Sequence, residues 1–333
     1  MSYFRANIER MSGYEPGFQP KEPGFVKLNT NENPYPPSPR ALEAIREAAG
    51  DALRKYPDPT TDRVRETIAD VFGMPLQRVL CGNGSDDLLS IAVRSFCGEG
   101  DRVAFPYPSY SLYPTLALLQ GAEPVSVPFH DDYSLPQDLA RTGARLILIS
   151  NPNAPSGTVV PPGPIDALAA AVDGVVLVDE AYVDFAETDC LALVESCPNV
   201  IVTRTLSKSY SMAGLRFGFA VAQEPLIEGM MKVKDSYNID ALTAAGAGAA
   251  IADQHWMRAN VERIRATRAR LADALAALGF DCLPSQANFI LARVPEGRDA
   301  AALYQRLFER KILVRYFALP RVDDCLRITV GTE

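Results

Sequence analysis

Val175-Val-Leu-Val-Asp-Glu-Ala-Tyr182 is a β-branched apolar run that ends in a carboxylate. Its length and composition are typical of a parallel strand that is buried on both faces of a sheet. Asp179 then lies at the carboxyl end of that strand, and this edge of an open α/β sheet is where ligands bind. The run therefore predicts both a buried central strand and a functional carboxylate.

Similar apolar runs recur along the first two thirds of the chain, at 79–81, 102–105, 146–150, 200–203 and 217–221. They alternate with helical patterns such as 86–96 and 164–172, which predicts a mostly parallel sheet covered by helices. After about residue 240 an Ala-rich stretch precedes a long helical pattern at 253–278 and strand-like runs near 287–293, 312–316 and 326–330. This second part predicts a smaller α+β domain.

The predicted organisation has three parts. An N-terminal arm covers residues 1–38 and packs on the small domain, a large domain covers 39–240, and a small C-terminal domain covers 241–333. The arm is rich in Pro and Gly and ends where Ser38 is expected to cap a helix that begins at Pro39.

Thr205-Leu-Ser-Lys-Ser-Tyr-Ser-Met-Ala-Gly-Leu-Arg216 places one lysine among hydroxyl groups, with an arginine eight residues further on. A lysine amine condenses with a carbonyl to form a Schiff base where burial or neighbouring cations favour its neutral form. Thr205, Ser207 and Arg216 are suited to holding a phosphate group by charge-assisted hydrogen bonds. The alternative is a Ser-rich surface loop in which Lys208 is solvated.

A glycine-containing turn follows the first strand-like run, in Val79-Leu-Cys-Gly-Asn-Gly-Ser-Asp-Asp-Leu-Leu-Ser-Ile91. Glycines let the backbone approach a ligand, and the amides of Ser85 and Asp86 at the start of the following helix would then face an anion. The alternative is an ordinary strand-to-helix turn in which one of these residues caps the helix.

Two nucleotide-binding classes lack their required strings. The strand that ends at Asp179 also suits a P-loop nucleotidase, but no G-x-x-x-x-G-K string followed by Ser or Thr occurs. A nicotinamide dehydrogenase is disfavoured because the turn at Gly82 lacks the third glycine at its required spacing.

Taken together, the motifs resemble the fold-type I pyridoxal-phosphate aminotransferases, and most closely the histidinol-phosphate aminotransferase family. The resemblance implies a seven-stranded sheet, bound pyridoxal 5'-phosphate, and transamination between an amino donor and a 2-oxo acid, in the order of a ping-pong reaction. It covers nearly the whole chain, through motifs that occur in the family's order: Lys27-Leu-Asn-Thr-Asn-Glu-Asn-Pro34, Tyr56-Pro57, Gly82-Asn-Gly-Ser-Asp-Asp87, Pro108-Ser-Tyr110, Asn151-Pro-Asn-Ala-Pro-Ser-Gly157, Asp179-Glu-Ala-Tyr182, Ser207-Lys208 and Leu326-Arg-Ile-Thr-Val-Gly331.

The resemblance also implies a role for each matching position. Lys208 would form the Schiff base with the cofactor and later act as general base. Asp179 would pair with the pyridine nitrogen of the cofactor, and Tyr182 would donate a hydrogen bond to the phenolic oxygen of the cofactor ring. Tyr110 would stack on the ring. The phosphate would be held by Ser85, Asp86, Thr205, Ser207 and Arg216.

Substrate and dimer contacts are implied in the same way. Arg315 and Arg327 would bind the carboxylate of 2-oxoglutarate and the phosphate of histidinol phosphate, although an arginine at a sheet edge also serves to cover apolar surface. Tyr14 and Asn29 would contact the substrate from the arm. Tyr56 would cross a dimer interface to the partner's cofactor phosphate, so that two chains build each site.

The sequence departs from the family's pattern at two places. The asparagine that usually bonds the ring oxygen directly precedes a proline, and here Ala154 precedes Pro155. Either Asn153 binds the cofactor after a local backbone shift or Tyr182 acts alone, and losing one buried hydrogen bond to a charged group costs about 1.5 to 3 kcal/mol. The chain also ends at Glu333, where family members continue into a final helix. We expect either a truncation or another surface over the last strand.

The composition is that of a globular enzyme that has no nucleic-acid, membrane or metal partner. The chain has 333 residues, 47% hydrophobic and 22% charged, with a net charge of -8 and no Lys/Arg-rich face. Its six cysteines show no CxxC pairing and it has two histidines, so a zinc site is not expected. It has no apolar stretch that would span a bilayer and no signal peptide, which predicts a cytoplasmic location.

Three other functions share these features. An aromatic amino-acid aminotransferase or a threonine-phosphate decarboxylase would carry nearly every motif, and substrate profiling separates them. A non-catalytic regulator that binds pyridoxal phosphate would need an attached DNA-binding segment, and this acidic chain has no room for one.

Overall fold

A seven-stranded sheet forms the centre of the protein, in a computed structural model that describes residues 3–14 and 17–333. The strand order is β2-β8-β7-β6-β5-β3-β4. The bounds of these strands are β2 Val79–Gly82, β3 Arg102–Tyr107, β4 Glu123–Pro128, β5 Leu146–Ser150, β6 Val175–Asp179, β7 Val200–Thr205 and β8 Gly218–Ala222. The predicted mostly parallel seven-stranded sheet is confirmed.

The sheet is parallel except at β8, which pairs antiparallel with both β2 and β7. In β6 the register places Asp179 beside Ser150 of β5 and Thr203 of β7, so polar side chains meet at one edge of an apolar sheet. The strand β4 was not among the apolar runs of the sequence. It is only half buried and contains Pro124 and Pro128, which suits an edge strand because proline cannot complete a ladder on both sides.

Helices cover the sheet, and one of them begins at the cap that the sequence predicts. The Ser38 hydroxyl accepts a hydrogen bond of 3.1 Å from the amide of Arg40, and Pro39 opens the helix. The helix bounds are α1 Ala6–Arg10, α2 Pro39–Ala48, α3 Asp62–Phe72, α4 Ser85–Phe96, α5 Leu112–Gln120, α6 Pro162–Ala171, α7 Leu193–Ser196, α8 Glu224–Met231, α9 Ala241–Ala252, α10 Gln254–Ala277 and α11 Ala300–Glu309. Within the described ranges, no helix combines the length and apolar character needed to cross a membrane.

A smaller antiparallel sheet follows α10, in the order β12-β13-β10-β9. Its strands are β9 Asp281–Cys282, β10 Phe289–Arg293, β12 Arg315–Tyr316 and β13 Cys325–Thr329. The strand predicted at 312–316 is two strands, because β11 (Ile312–Leu313) pairs instead with β1 (Val26–Lys27) of the arm. This pairing carries the arm past the ends of the large sheet.

The arm contacts both parts of the protein. Its β1 joins the C-terminal part, whereas Arg5, just before α1, and Asn7 of α1 donate hydrogen bonds of 3.0 and 2.8 Å to carbonyl oxygens at the end of α5. The helix α9 packs against α2 and α3, and a Cβ at Gly246 would lie 2.7 Å from the side chain of Ile45. The predicted domain bounds stay a prediction, and α9 contacts the large domain although they assign it to the small one.

A buried ion pair connects the end of β6 to β7, next to Asp179. Arg204 donates to Glu180 through Nε at 2.9 Å, and one of its terminal nitrogens lies 2.8 Å from the same carboxylate oxygen. Burial raises the pKa of Glu180 to about 7, while the charge of Arg204 acts in the opposite direction. Because Glu180 follows Asp179 in the strand, the pair anchors the backbone that carries the predicted functional carboxylate.

Candidate active site

A cavity of about 360 Å³ lies at the carboxyl ends of β5, β6 and β7. Its opposite side is formed by the arm and by β12 and β13. All of the predicted site residues except Asn153 and Tyr56 line it: Tyr14, Asn29, Ser85, Asp86, Tyr110, Asp179, Tyr182, Thr205, Ser207, Lys208, Arg216, Arg315 and Arg327. Side chains from the two ends of the sequence therefore meet at one place.

Lys208 follows β7 and extends into the cavity. Its Nζ donates to the carbonyl oxygen of Thr30 at 3.3 Å and lies 5.5 Å from the centre of the Tyr182 ring. The backbone around it is held by Asn33, whose amide donates at 3.0 Å to the carbonyl oxygens of both Lys208 and Ser209. The lysine is thus presented from a fixed backbone towards the arm and the tyrosine.

Asp179 is buried at the end of β6, with an exposed fraction of 3%. It accepts hydrogen bonds from the neutral hydroxyls of Tyr113 at 3.1 Å and Thr203 at 3.4 Å. Burial raises the pKa of Asp179 to about 7, the Tyr113 bond lowers it, and the charge of Asp86 raises it further. A carboxylate with neutral partners in this position is suited to a cationic group of a ligand.

The turn before α4 brings backbone amides and a guanidinium together. Gly84 has φ +81, and a Cβ on it would lie 2.6 Å from a terminal nitrogen of Arg216. Arg216 lies 3.5 Å from both the Asp86 carboxylate and the Ser207 hydroxyl, and Thr205 donates to Ser207 at 3.0 Å. The start of α4, the two hydroxyls and Arg216 form a site for an anion.

Tyr110 and Tyr14 line the cavity, and the buried Tyr113 packs behind Tyr110. Tyr110 donates to Asp86 at 3.2 Å, and its ring makes edge contacts with Tyr113 at 5.6 Å and with Tyr14 at 6.1 Å. Burial raises the pKa of Tyr110, and the neighbouring Asp86 adds to this effect, so the hydroxyl stays neutral. An apolar, uncharged ring face is thereby presented beside Asp179.

Arg315 and Arg327 lie opposite each other on the paired strands β12 and β13. Arg327 packs over the rings of Phe289 and Phe317 at 5.2 and 5.3 Å, and one of its terminal nitrogens donates to the carbonyl oxygen of Asn29 at 2.9 Å. Its buried Nε and the buried side-chain oxygen of Asn29 have no hydrogen-bond partner within the described residues. Burial lowers the pKa of Arg327, yet an arginine remains charged near neutrality.

Asn153 does not reach the cavity in the way the resemblance implies. Its amide nitrogen donates to the carbonyl oxygen of Pro108, which follows β3, at 3.1 Å and to the hydroxyl of Ser156 at 2.8 Å, so both of its hydrogens are used by these two residues. Ala154 lines the cavity instead. No hydrogen of the Asn153 amide is free for a cofactor in this arrangement, so a contact from Asn153 would need the backbone shift named above and stays a prediction.

Tyr56 does not line the cavity of its own chain. It is 81% exposed and stacks on Tyr237, with ring centres 4.6 Å apart and planes 17° apart. Residues without a predicted role also touch site residues: Tyr113 donates to Asp179, for example, and Asn31 donates to Tyr182 at 2.9 Å. The spacing of three between Tyr110 and Tyr113 at the start of a helix was a usable signal for the first of these.

Comparisons with known proteins agree with this geometry. The model of the family described as "Aminotransferase class I and II" matches residues 23–333. Histidinol-phosphate aminotransferase 1 from a Nostoc species is 48% identical over all of this chain and 94% of its own length. Histidinol-phosphate aminotransferase from Rhodopirellula baltica is 49% identical over 99% of this chain and 92% of its own length.

A solved structure extends the agreement to the fold. The crystal structure of histidinol-phosphate aminotransferase from Sinorhizobium meliloti in complex with pyridoxal-5'-phosphate superposes with a TM-score of 0.91. It is 28% identical, and the match covers 100% of this chain and 94% of that one. The chain therefore belongs to the class I and II aminotransferases, the fold-type I enzymes that depend on pyridoxal phosphate. Within this class it belongs to the histidinol-phosphate aminotransferase family.

Proposed function

We propose that this chain transfers the amino group of histidinol phosphate to 2-oxoglutarate, in histidine biosynthesis. The observation that carries the proposal is the pair of arginines, Arg315 and Arg327, in the same cavity as Lys208. The Nε of Arg327, which has no partner among the described residues, points to a ligand with anionic oxygens. Both substrates carry an anionic group near the reacting carbon, and guanidinium groups bind phosphate and carboxylate equally well.

The side chains of the cavity fit the charges of pyridoxal phosphate. Ser85, Asp86, Thr205, Ser207 and Arg216 would hold the phosphate, since they bring together backbone amides, hydroxyls and a guanidinium. A side chain at Gly84 would occupy the space beside Arg216, which supports a close approach of the ligand to the backbone there.

The ring would be held from both its edges and one face. Asp179 would pair with the protonated ring nitrogen, because it is buried and carboxylic, and the side chains that donate to it are neutral hydroxyls. Tyr110 would stack on the ring, and Tyr182 would donate its hydrogen to the phenolic oxygen. Among the residues that the structure describes, we assign Tyr182 as the one side-chain donor at that oxygen, because the amide of Asn153 is used elsewhere and the Ala154 side chain has no polar group.

When bound, pyridoxal phosphate supplies an aldehyde that accepts the amino group and a ring that stabilises the charge released at the substrate carbon. Lys208 would hold the cofactor covalently between turnovers, and its Nζ would then move the proton at that carbon. Asp179 keeps a negative charge at the far edge of the ring throughout. Tyr14 and Asn29, which line the cavity, would contact the substrate from the arm.

We expect histidinol phosphate to be the preferred amino donor. In single-turnover reactions of the loaded enzyme, followed by its visible absorption, histidinol phosphate should react at least about tenfold faster than phenylalanine, tyrosine or threonine phosphate, because contacts of a single substrate group typically discriminate to this extent or more. Fast reaction of an aromatic amino acid alone would instead identify an aromatic aminotransferase. Carbon dioxide release from threonine phosphate would identify a decarboxylase, and cofactor binding without any turnover would identify a regulator.

The proposed assembly is a homodimer with shared sites. It is supported by the position of Tyr56, which is exposed, lies outside the cavity of its own chain and is held by ring stacking on Tyr237. An exposed pair of stacked aromatic rings is typical of a protein interface. In the dimer, the Tyr56 hydroxyl would donate to the cofactor phosphate of the partner subunit.

Hybrid dimers test this arrangement. A dimer of one Tyr56→Phe chain and one Lys208→Ala chain contains a single lysine-bearing site, and only that site forms the covalent visible band. If Tyr56 serves the partner, this site keeps a native tyrosine and binds pyridoxal phosphate with wild-type affinity. The Tyr56→Phe homodimer should bind about 10- to 100-fold more weakly, from the loss of one hydrogen bond to a charged group. Weak binding in the hybrid would show that Tyr56 acts within its own chain.

A further inference from the structure

Asn31 is a buried arm residue that contacts both parts of the protein. It has an exposed fraction of 1% and a φ of +58°, a conformation that asparagine and glycine adopt more readily than other residues. Its backbone amide donates to the Thr329 hydroxyl at 3.0 Å, and its carbonyl oxygen accepts from Asn288 at 2.9 Å. Its side chain is therefore held by a fixed backbone.

The two ends of the Asn31 side chain have different partners. The hydroxyl of Thr329, which accepts from the Asn31 backbone amide, donates to the side-chain oxygen of Asn31 at 3.0 Å. The side-chain nitrogen donates to the Tyr182 hydroxyl oxygen at 2.9 Å. The Thr329 contact thus turns the oxygen of the amide away from Tyr182 and the nitrogen towards it.

This arrangement decides the direction of the Tyr182 hydrogen. A tyrosine hydroxyl carries one hydrogen, and an amide nitrogen can only donate. Tyr182 therefore accepts from Asn31 and must direct its own hydrogen elsewhere. Because Tyr182 lines the cavity, that hydrogen is available to a ligand there.

The direction of this hydrogen is important because no second side-chain donor to the phenolic oxygen of the cofactor comes from the loop at 153–154, where the family usually has one. Ala154, which lines the cavity, has no polar group, and the amide of Asn153 is bonded to Pro108 and Ser156. The stability of a negative charge on the phenolic oxygen would then depend on the one hydroxyl that Asn31 orients.

We propose that Asn31 is a positioning residue that fixes the Tyr182 hydroxyl as a donor into the cavity. The proposal rests on the proposed function, because it takes Tyr182 as the donor to the phenolic oxygen of pyridoxal phosphate. It adds that the arm sets the direction of this donation, because the side-chain amide of Asn31 is held by a hydrogen bond from Thr329 of β13.

The test measures the pH midpoint of the visible absorption change in the loaded enzyme. A donor at the phenolic oxygen stabilises its negative charge and weakens its hold on the neighbouring proton, so losing the donor raises the midpoint. Tyr182→Phe should raise it by about one to two pH units. Asn31→Asp should raise it similarly, because a carboxylate can only accept and takes the Tyr182 hydrogen for itself. The dissociation constant of the cofactor is measured in parallel.

A double variant separates orientation from added charge. If Asn31 acts through Tyr182, Asn31→Asp adds little in the Tyr182→Phe background. If Asn31→Asp shifted the pH midpoint equally in the wild-type and Tyr182→Phe backgrounds, only the new charge would act. If Asn31→Asp left the midpoint unchanged, Asn31 would not orient the hydroxyl. Either result overturns the proposal. Asn31→Gly is the uncharged second variant, since glycine tolerates the positive φ, and it should shift the midpoint in the same direction by a smaller amount.

The same measurements distinguish failure of this proposal from failure of the function it rests on. An unchanged midpoint in Tyr182→Phe removes Tyr182 as the donor, and the proposed role of Asn31 with it. A shifted midpoint in Tyr182→Phe with none in Asn31→Asp leaves the function standing and removes Asn31 alone.

Discussion

Replacing Lys208 by alanine is expected to abolish transamination. The variant loses both the covalent attachment of the cofactor and the base that moves the substrate proton, and loss of a general base alone costs about 10²- to 10⁴-fold. The structure gives the reason, because the Lys208 amine faces the cavity from a backbone held by Asn33 and contacts Thr30 and Tyr182. Single-turnover rates and the visible spectrum of the loaded protein measure the effect.

The matched control is Lys232→Ala, at a lysine outside the cavity. It should keep the visible band and the wild-type rate. A Lys208→Ala protein that kept the pH-sensitive band, or that turned over histidinol phosphate at a rate near that of the control, would contradict the assignment of Lys208.

Replacing Asp179 by asparagine is expected to slow the reaction about a thousandfold. An ion pair at about 4 Å in surroundings with an effective dielectric constant of about 20 is worth about 4 kcal/mol, and a barrier change of that size corresponds to about 10³ in rate. The amide preserves the shape, and its one oxygen can still accept from either Tyr113 or Thr203, which donate to different oxygens of the carboxylate. Single-turnover kinetics should show a lower maximal rate, and a variant with an unchanged rate would contradict the pairing of Asp179 with the ring nitrogen.

The same change should stabilise the cofactor-free protein at alkaline pH. Burial raises the pKa of Asp179 to about 7 from an ordinary value of 3.8. The folded state then binds more protons than the unfolded state between these values, so the stability contributed by this group is complete below about pH 4 and is lost as the pH rises to about 7. Asp179→Asn removes that loss, which is on the order of a few kcal/mol.

Thermal unfolding of cofactor-free protein at pH 5 and pH 8 checks the sign. The variant should exceed the wild type in Tm at pH 8, and the difference should be much smaller at pH 5. Glu180 also has a raised pKa, to about 7, but it is present in both proteins and cancels in the comparison. Asp70→Asn, at an exposed position of α3, is the control and should leave the difference near zero.

The opposite signs of these two effects have one cause. A buried carboxylate whose partners are neutral hydroxyls costs stability in the protein alone, and that cost is offset when a cation binds. Stability at this position is thus exchanged for affinity and reactivity, as at many functional sites.

Short stretches of the sequence predicted several secondary-structure elements correctly. The apolar runs that end at Ser150 and Asp179 are the buried strands β5 and β6, and the Ser38 and Pro39 signals mark the start of α2. The edge strand β4 was not predicted, because its burial is partial and its prolines are unfavourable in most strands. The run at 312–316 was predicted as one strand because its composition does not reveal that its halves pair with different partners.

The sequence by itself determined the class of the protein and the identity of most side chains in the cavity, because motifs such as Ser207-Lys208 place chemical groups at the ends of strands whose apolar character is evident locally. Only the tertiary structure decided how those groups are partnered. Asn153 donates to Pro108, Tyr113 donates to Asp179, and Asn31 lies against Thr329, which is 298 residues away. A hydrogen bond depends on distances of about 3 Å and on direction. Between residues so far apart, these are set by the packing of whole domains rather than by any local pattern.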